Sequence, residues 1–165
     1  MYRSLKYRAD MDISPSWQEL LKSVSRSFYL SLRFLPAAVR GELSVAYLLA
    51  RASDSIADSA SVAASERLML LEQFSVALSA PVPEGFFSNI ARLQVDHAGE
   101  QILLQRLAEC FAQYETVDAP ARRLIQTVLG HILHGQKLDL QRFPGALQTP
   151  AELTEYTYLV AGCVG

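Results

Sequence analysis

The chain has 165 residues, half of them apolar, and a net charge of −2. This length suits one domain with a sizeable core, and 1–165 is predicted as a single domain. The apolar runs are too short for a transmembrane helix, the N-terminus lacks a signal-peptide apolar region, and two cysteines do not make a disulfide framework. No basic block indicates nucleic-acid binding. A cytoplasmic protein is expected, with peripheral membrane association kept as an alternative.

The apolar spacing is helical throughout, which predicts an all-α protein. Ser16 and Glu19 form a capping-box pattern ahead of a first amphipathic helix. A short helix is predicted just before Pro36 and a longer one from about Pro36 to Asp58. Residues 65–79 follow with helical spacing, and 81–85 (PVPEG) read as a loop.

Three further helices are predicted downstream. The first covers about 98–115, and the second is capped by Asp118 and runs to about Phe143. The third opens at 149–152 (TPAE), which combines a capping box with a proline at the first helical position.

Four residues of the long helix carry the most information: Tyr47, Arg51, Asp54 and Asp58. Their spacings of four, three and four place them on one helix face. Two carboxylates at this spacing repel each other, so the stripe is unfavourable unless a cation lies between the acids. A solvated acidic face with an arginine salt bridge is the alternative interpretation.

A divalent cation fits this pattern, because Mg²⁺ takes one or two carboxylates together with water and phosphate oxygens. Arg51, one turn earlier, can bind a phosphate of the same ligand with two parallel hydrogen bonds. Residues 1–51 carry eight Lys and Arg against four Asp and Glu, which suits a polyanionic ligand, although ordinary surface charge is an equal alternative.

Three stretches in chain order together resemble the squalene/phytoene synthase family of head-to-head prenyl-diphosphate synthases. They are VSRSFYLSLRFLP (24–36), YLLARASDSIAD (47–58) and YTYLVAGCVG (156–165). The resemblance runs from about Ser23 to the last residue. It implies an isoprenoid-synthase helical bundle around a deep apolar cavity, incomplete at its C-terminus.

The resemblance also assigns roles to residues. Asp54 and Asp58 match the first Asp-rich motif, which holds Mg²⁺ against the substrate diphosphate. Tyr156, Arg51 and Tyr47 match residues with catalytic roles. Substrate contacts are implied for the matches to the SxSF stretch and to the small residues along the prenyl tail: Ser25, Arg26, Ser27, Phe28, Val160, Ala161, Val164 and Gly165.

Three departures from the family pattern stand out. Ser55 and Ala57 occupy positions where many members have a further acid, which leaves the number of metal ions open. Gln136 replaces the usual methionine in a stretch that loosely resembles GMxxDL. The second Asp-rich motif is absent from the chain.

The implied reaction is the Mg²⁺-dependent condensation of two farnesyl diphosphates through presqualene diphosphate to squalene. NADPH is expected only if squalene is the product. Phytoene or dehydrosqualene synthesis is the nearest alternative, and a non-catalytic helical interaction module is the alternative from another class.

The last predicted helix ends while still apolar, and its face has no predicted cover. We expect the 165-residue chain to be inactive alone, because one carboxylate motif cannot hold the metal cluster for two diphosphates. We also expect it to bury this face by forming a homodimer, by exchanging helices with a neighbour, or by pairing with a missing C-terminal piece.

Overall fold

The computed structural model describes residues 15–25, 28–142, 149–160 and 162, and these residues contain helices and no strand. The predicted all-α class is confirmed. The helices are α1 (Pro15–Ser25), α2 (Phe28–Phe34), α3 (Ala37–Asp58), α4 (Ala64–Ala77), α5 (Phe86–Ala91), α6 (Ala98–Gln105), α7 (Leu107–Thr116), α8 (Ala119–Arg142) and α9 (Pro150–Val160).

Helix α3 lies at the centre of the bundle and packs against α4, α6, α7 and α8. Its apolar residues recur three and four positions apart, which gives the helix one continuous buried face. Leu48, Leu49, Ala52 and Ile56 on that face are fully buried. Burying each large side chain contributes about 1.5–3 kcal/mol relative to leaving it exposed. This packing fixes which side of α3 is left for polar residues.

A cluster of aromatic side chains forms a second part of the core. Phe74 of α4 packs edge-on against Phe86 of α5 and Phe111 of α7, with ring centroids 5.9 and 5.2 Å apart. Gly85, in the left-handed region at φ 73°, ends the predicted PVPEG loop and lets the chain turn into α5. The sequence does not predict α5, because six residues are too few to show a helical period.

Two predicted caps are present. The backbone N–H of Ala121 donates to Asp118 Oδ1 at 2.8 Å, at the start of α8. At the start of α9, the N–H of Thr149 donates to Glu152 Oε2 at 2.9 Å, and the N–H of Glu152 donates to Thr149 Oγ1 at 3.2 Å. Each pair satisfies backbone donors that a helix end leaves without partners.

Two details of the prediction are wrong. The segment 98–115 is not one helix, because α6 and α7 are separated at Arg106. The guanidinium of Arg106 reaches Ser16 Oγ at 2.9 Å and Glu109 Oε2 at 2.7 Å, so the break places its side chain between two helices. Ser16 is not the N-cap of α1 either, because the helix already begins at Pro15.

Candidate active site

The four residues of the predicted stripe run from the middle of α3 to its last residue. Arg51 Nη1 lies 3.7 Å from Asp54 Oδ2, which is a loose ion pair. The side chains of Arg51 and Asp54 are 36% and 43% exposed, and Asp58 is exposed. The stripe is therefore within reach of a ligand from solvent while it adjoins the core.

Several neighbours act on the Asp54 carboxyl. Burial is the main cause that raises the pKa of Asp54 above its usual value, and the charges of Asp58 and Glu100 add to it. The hydrogen bond from Gln136 and the charge of Arg51 act in the opposite direction. The net effect is a carboxylate whose charge the folded chain holds less favourably than water does, which is the situation that a bound cation would relieve.

Glu100, in the first turn of α6, joins the stripe although no sequence pattern connects it with α3. Its Oε1 accepts a hydrogen bond from Arg51 Nη2 at 2.5 Å, and its Oε2 accepts one from Ser55 Oγ at 3.0 Å. Burial opposes the charge on Arg51, but the Glu100 bond and the neighbouring acids outweigh it, so the pKa of Arg51 is raised.

Gln136 of α8 contacts the other end of the stripe. Its Nε2 donates to Asp54 Oδ1 at 2.6 Å and to Ser53 Oγ at 3.1 Å. Its Oε1 is buried and has no hydrogen-bond partner in the described part of the chain. The residue that departs from the family's usual methionine is thus in direct contact with a predicted metal ligand.

Helices α1 and α2 border the site at the Tyr47 end of the stripe. The hydroxyl of Tyr47 donates to the carbonyl of Val24 at 3.3 Å, and its ring stacks on Phe28 with centroids 4.9 Å apart. Burial raises the pKa of the Tyr47 hydroxyl. Ser25 is buried, and its Oγ donates to Leu21 O at 2.5 Å within its own helix. The ring pair forms an apolar wall next to Arg51.

The other predicted substrate contacts lie where less is described. Arg26, Ser27, Ala161, Val164 and Gly165 are outside the described residues. Tyr156 and Val160 belong to α9, which packs against α8, but their side chains are not described. Their predicted roles remain predictions.

An open recess of about 480 Å³ lies beside the stripe. Ser55, Asp58, Asp96 and Glu100 are among its lining residues. Among the described residues, no three His, Cys, Asp or Glu side chains group closely enough to hold a metal ion by themselves. The carboxylates of Asp54 and Asp58 are hard donors that fit Mg²⁺, provided that water or phosphate oxygens complete its shell.

The helical bundle places an accessible acid–arginine stripe next to an apolar wall. The family model "Squalene/phytoene synthase" matches residues 21–165. The chain belongs to the squalene/phytoene synthase family.

Two curated relatives show the range of this family. The chain is 38% identical over 147 residues to squalene synthase BSS of Botryococcus braunii, a match that covers 89% of this chain and 30% of that protein. It is 28% identical over 154 residues to a bifunctional lycopene cyclase/phytoene synthase of Blakeslea trispora, which covers 93% of this chain and 24% of that protein. The chain thus spans less than a third of either relative. The family model establishes the family. Squalene and phytoene synthases both match the chain, so these matches do not distinguish the product.

Solved structures show the same fold. TcSQS in complex with E5700 superimposes with a TM-score of 0.72 at 23% identity, over 90% of this chain and 41% of that chain. TcSQS with BPH1237 gives a TM-score of 0.71 at 22% identity, with the same coverage. Within the described residues, no helix is both long and apolar enough to cross a membrane.

Proposed function

We propose that this chain supplies a diphosphate- and Mg²⁺-binding site of an enzyme that condenses two farnesyl diphosphates head-to-head, through presqualene diphosphate, to squalene. The single observation that carries the proposal is the contact set of the α3 stripe. Its acids and its arginine place carboxylate oxygens and a guanidinium on one accessible face, and Glu100 of α6 and Gln136 of α8 hold them in place.

In this proposal Asp54 and Asp58 hold Mg²⁺, which supplies positive charge to the leaving diphosphate. Arg51 binds the diphosphate oxygens with the N–H groups that Glu100 leaves free, and so neutralises charge that develops as the carbon–oxygen bond breaks. Donors that are already in place need no reorganisation at that moment, which is why such an arrangement lowers the barrier.

Tyr47 and Phe28 have a different part. Their stacked rings form an apolar wall beside the guanidinium, where an allylic chain can lie and water is excluded from the carbocation. Tyr156 is proposed to act in ionisation or proton transfer, and Val160, Ala161, Val164 and Gly165 to border the prenyl tail. NADPH would serve as reductant only if squalene is the product.

Phytoene synthesis is the second candidate, because the bifunctional phytoene synthases match this chain at 28–30% identity. The two candidates differ in the prenyl chain that binds, C15 or C20. Binding of farnesyl against geranylgeranyl thiodiphosphate, compared by calorimetry with the same protein, distinguishes them. Tighter binding of the C20 compound would favour phytoene synthesis.

The central test is Mg²⁺-dependent stabilisation by farnesyl thiodiphosphate. A ligand at 100 times its Kd adds about 2.7 kcal/mol to the free energy of unfolding. For a chain of this size that raises the Tm by roughly 5–10 °C. Asp54→Asn should abolish the increase, and Glu72→Gln should keep it, because Glu72 pairs with Lys137 on the surface of α4 and α8.

A parent chain whose Tm does not respond to Mg²⁺ and the thiodiphosphate together would refute the proposed site. That outcome would favour the non-catalytic helical module instead.

A further inference from the structure

Glu100 has both carboxylate oxygens engaged by groups of α3. Oε1 accepts from Arg51 Nη2, and Oε2 accepts from Ser55 Oγ, one helical turn further along the same face. The Glu100 side chain is only 15% exposed. The Ser55 hydroxyl also lies 3.0 Å from Arg51 O, so its one proton is shared between two acceptors and the Arg51 bond is the main restraint on Glu100. A carboxylate that is bound to a guanidinium and largely shielded from water has little freedom to leave its partners.

The close packing of α1 and α6 sets the position of this carboxylate. A Cβ on Gly99 would lie 2.8 Å from the backbone oxygen of Ser23, so α6 can approach α1 this closely only because residue 99 has no side chain. Glu100 follows directly in the first turn of α6, where the N-terminal end of a helix favours a negative charge. The backbone, and not a flexible surface loop, therefore delivers the acid to α3.

The contact with Glu100 restricts Arg51. An isolated arginine side chain populates many rotamers, and a bound anion must then order it. Here Nη2 is bound to Glu100, Nη1 lies 3.7 Å from Asp54 Oδ2, and the side chain is still 36% exposed. The guanidinium is thus held in one orientation on the acid stripe and remains accessible to a ligand.

We propose that Glu100 is a positioning residue that orients Arg51 to bind the diphosphate of the substrate. The inference rests on the proposed function, since it deepens the role of Arg51 in that same site. It makes a counterintuitive prediction: removing a negative charge next to an anion site weakens the binding of the anion. A purely Coulombic effect of Glu100 has the opposite sign, because an acid close to a diphosphate repels it.

The test measures the Kd of inorganic pyrophosphate in the presence of Mg²⁺ by calorimetry, with the 165-residue chain. Glu100→Gln should weaken binding about tenfold, which corresponds to about 1.4 kcal/mol. In an Arg51→Ala background the same substitution should cause no weakening, because the residue that it orients is gone. Glu109→Gln is the matched control: it removes the acid of the ion pair between Arg106 and Glu109, away from the stripe, and should leave the Kd unchanged.

Ser55→Ala provides a second variant that keeps all charges. It removes one of the two hydrogen bonds that fix Glu100 and should weaken pyrophosphate binding a few-fold, and this variant decides the question if Glu100→Gln fails to fold. An unchanged or smaller Kd in Glu100→Gln, with or without a lower Tm, would overturn the inference while the proposed function stands. A parent chain that does not bind Mg²⁺ and pyrophosphate would refute the proposed function and the inference with it.

Discussion

Replacing Gly99 by alanine tests the packing that brings α6 to the site. The added Cβ would lie 2.8 Å from Ser23 O, 2.9 Å from Ser23 Oγ and 3.0 Å from Ser23 C. The hydroxyl can rotate away, but two of these three atoms belong to the backbone of α1. Helices α1 and α6 must therefore separate by several tenths of an ångström to admit the methyl group.

The expected loss in the free energy of unfolding follows from the cost of overpacking in other proteins. Inserting a methyl group into a closely packed contact costs about 1–3 kcal/mol. The better helix propensity of alanine returns part of this, up to about 1 kcal/mol in a helix interior and less in a first turn. A net loss of about 1–2 kcal/mol lowers the Tm by roughly 2–8 °C for a chain of this length.

Gly130→Ala is the matched control, since nothing lies within 4 Å of a Cβ at that position in α8. It should stabilise the chain by about 0.5–1 kcal/mol through helix propensity alone. Thermal and urea unfolding followed by circular dichroism measure both variants. If Gly99→Ala is as stable as Gly130→Ala, α1 and α6 do not pack as closely as described, and the positioning of Glu100 loses its structural basis.

Three further predictions concern other parts of the molecule. Leu78 O accepts hydrogen bonds from Tyr114 Oη at 3.0 Å and from Gln126 Nε2 at 2.6 Å, so Tyr114→Phe should lower the free energy of unfolding by only about 0.5–1.5 kcal/mol. The double variant with Gln126→Ala should lose more than the sum of the two single losses, measured by urea unfolding. Strict additivity would contradict this. Burial raises the pKa of Cys110 from 9.0 to about 12, so in a Cys163→Ser variant the thiol should not react with Ellman's reagent at pH 8 unless the chain is denatured. The contribution of the buried thiol to stability should be complete below pH 9 and lost as the pH rises toward 12. Rapid reaction of the native chain would show that the thiol is accessible. Without metal, Asp54→Asn should be as stable as the parent or more stable by about a few tenths of a kcal/mol, because it removes the repulsion from Asp58 on a partly exposed helix face. A clearly lower Tm would mean that the ionised carboxylate stabilises the fold.

The sequence predicts the parts of the fold that depend on local interactions. The course of α3 follows from its apolar period, and the start of α8 follows from Asp118, because periodicity and caps act over a few residues. The break at Arg106 has no proline or glycine to mark it. Its side chain instead contacts Ser16, which lies 90 positions away in sequence. A contact of that range leaves no local pattern to read.

The candidate site divides in the same way. Arg51, Asp54 and Asp58 lie on one helix, so their spacing alone places them together. Glu100 and Gln136 reach them from 49 and 82 positions further along the chain. The only local signals were an acid in the first turn of a predicted helix and a glutamine at the position of the family's usual methionine. Neither signal indicates a partner until the helices are packed.

The acids of the α3 stripe favour ligand binding and lower the stability of the empty chain. Placing two carboxylates one turn apart on a central helix is unfavourable, and burial adds to the cost at Asp54. Arg51 and Gln136 offset part of that cost, and Glu100, itself an acid, acts on it indirectly by holding Arg51 in place. A substitution that only relieves charge therefore stabilises the empty chain and weakens the site, whereas a substitution that loosens Arg51 weakens the site without relieving the acids. Stability and pyrophosphate affinity measured on the same variants separate these two effects, since Asp54→Asn moves the two quantities in opposite directions and Ser55→Ala lowers affinity with no gain in stability.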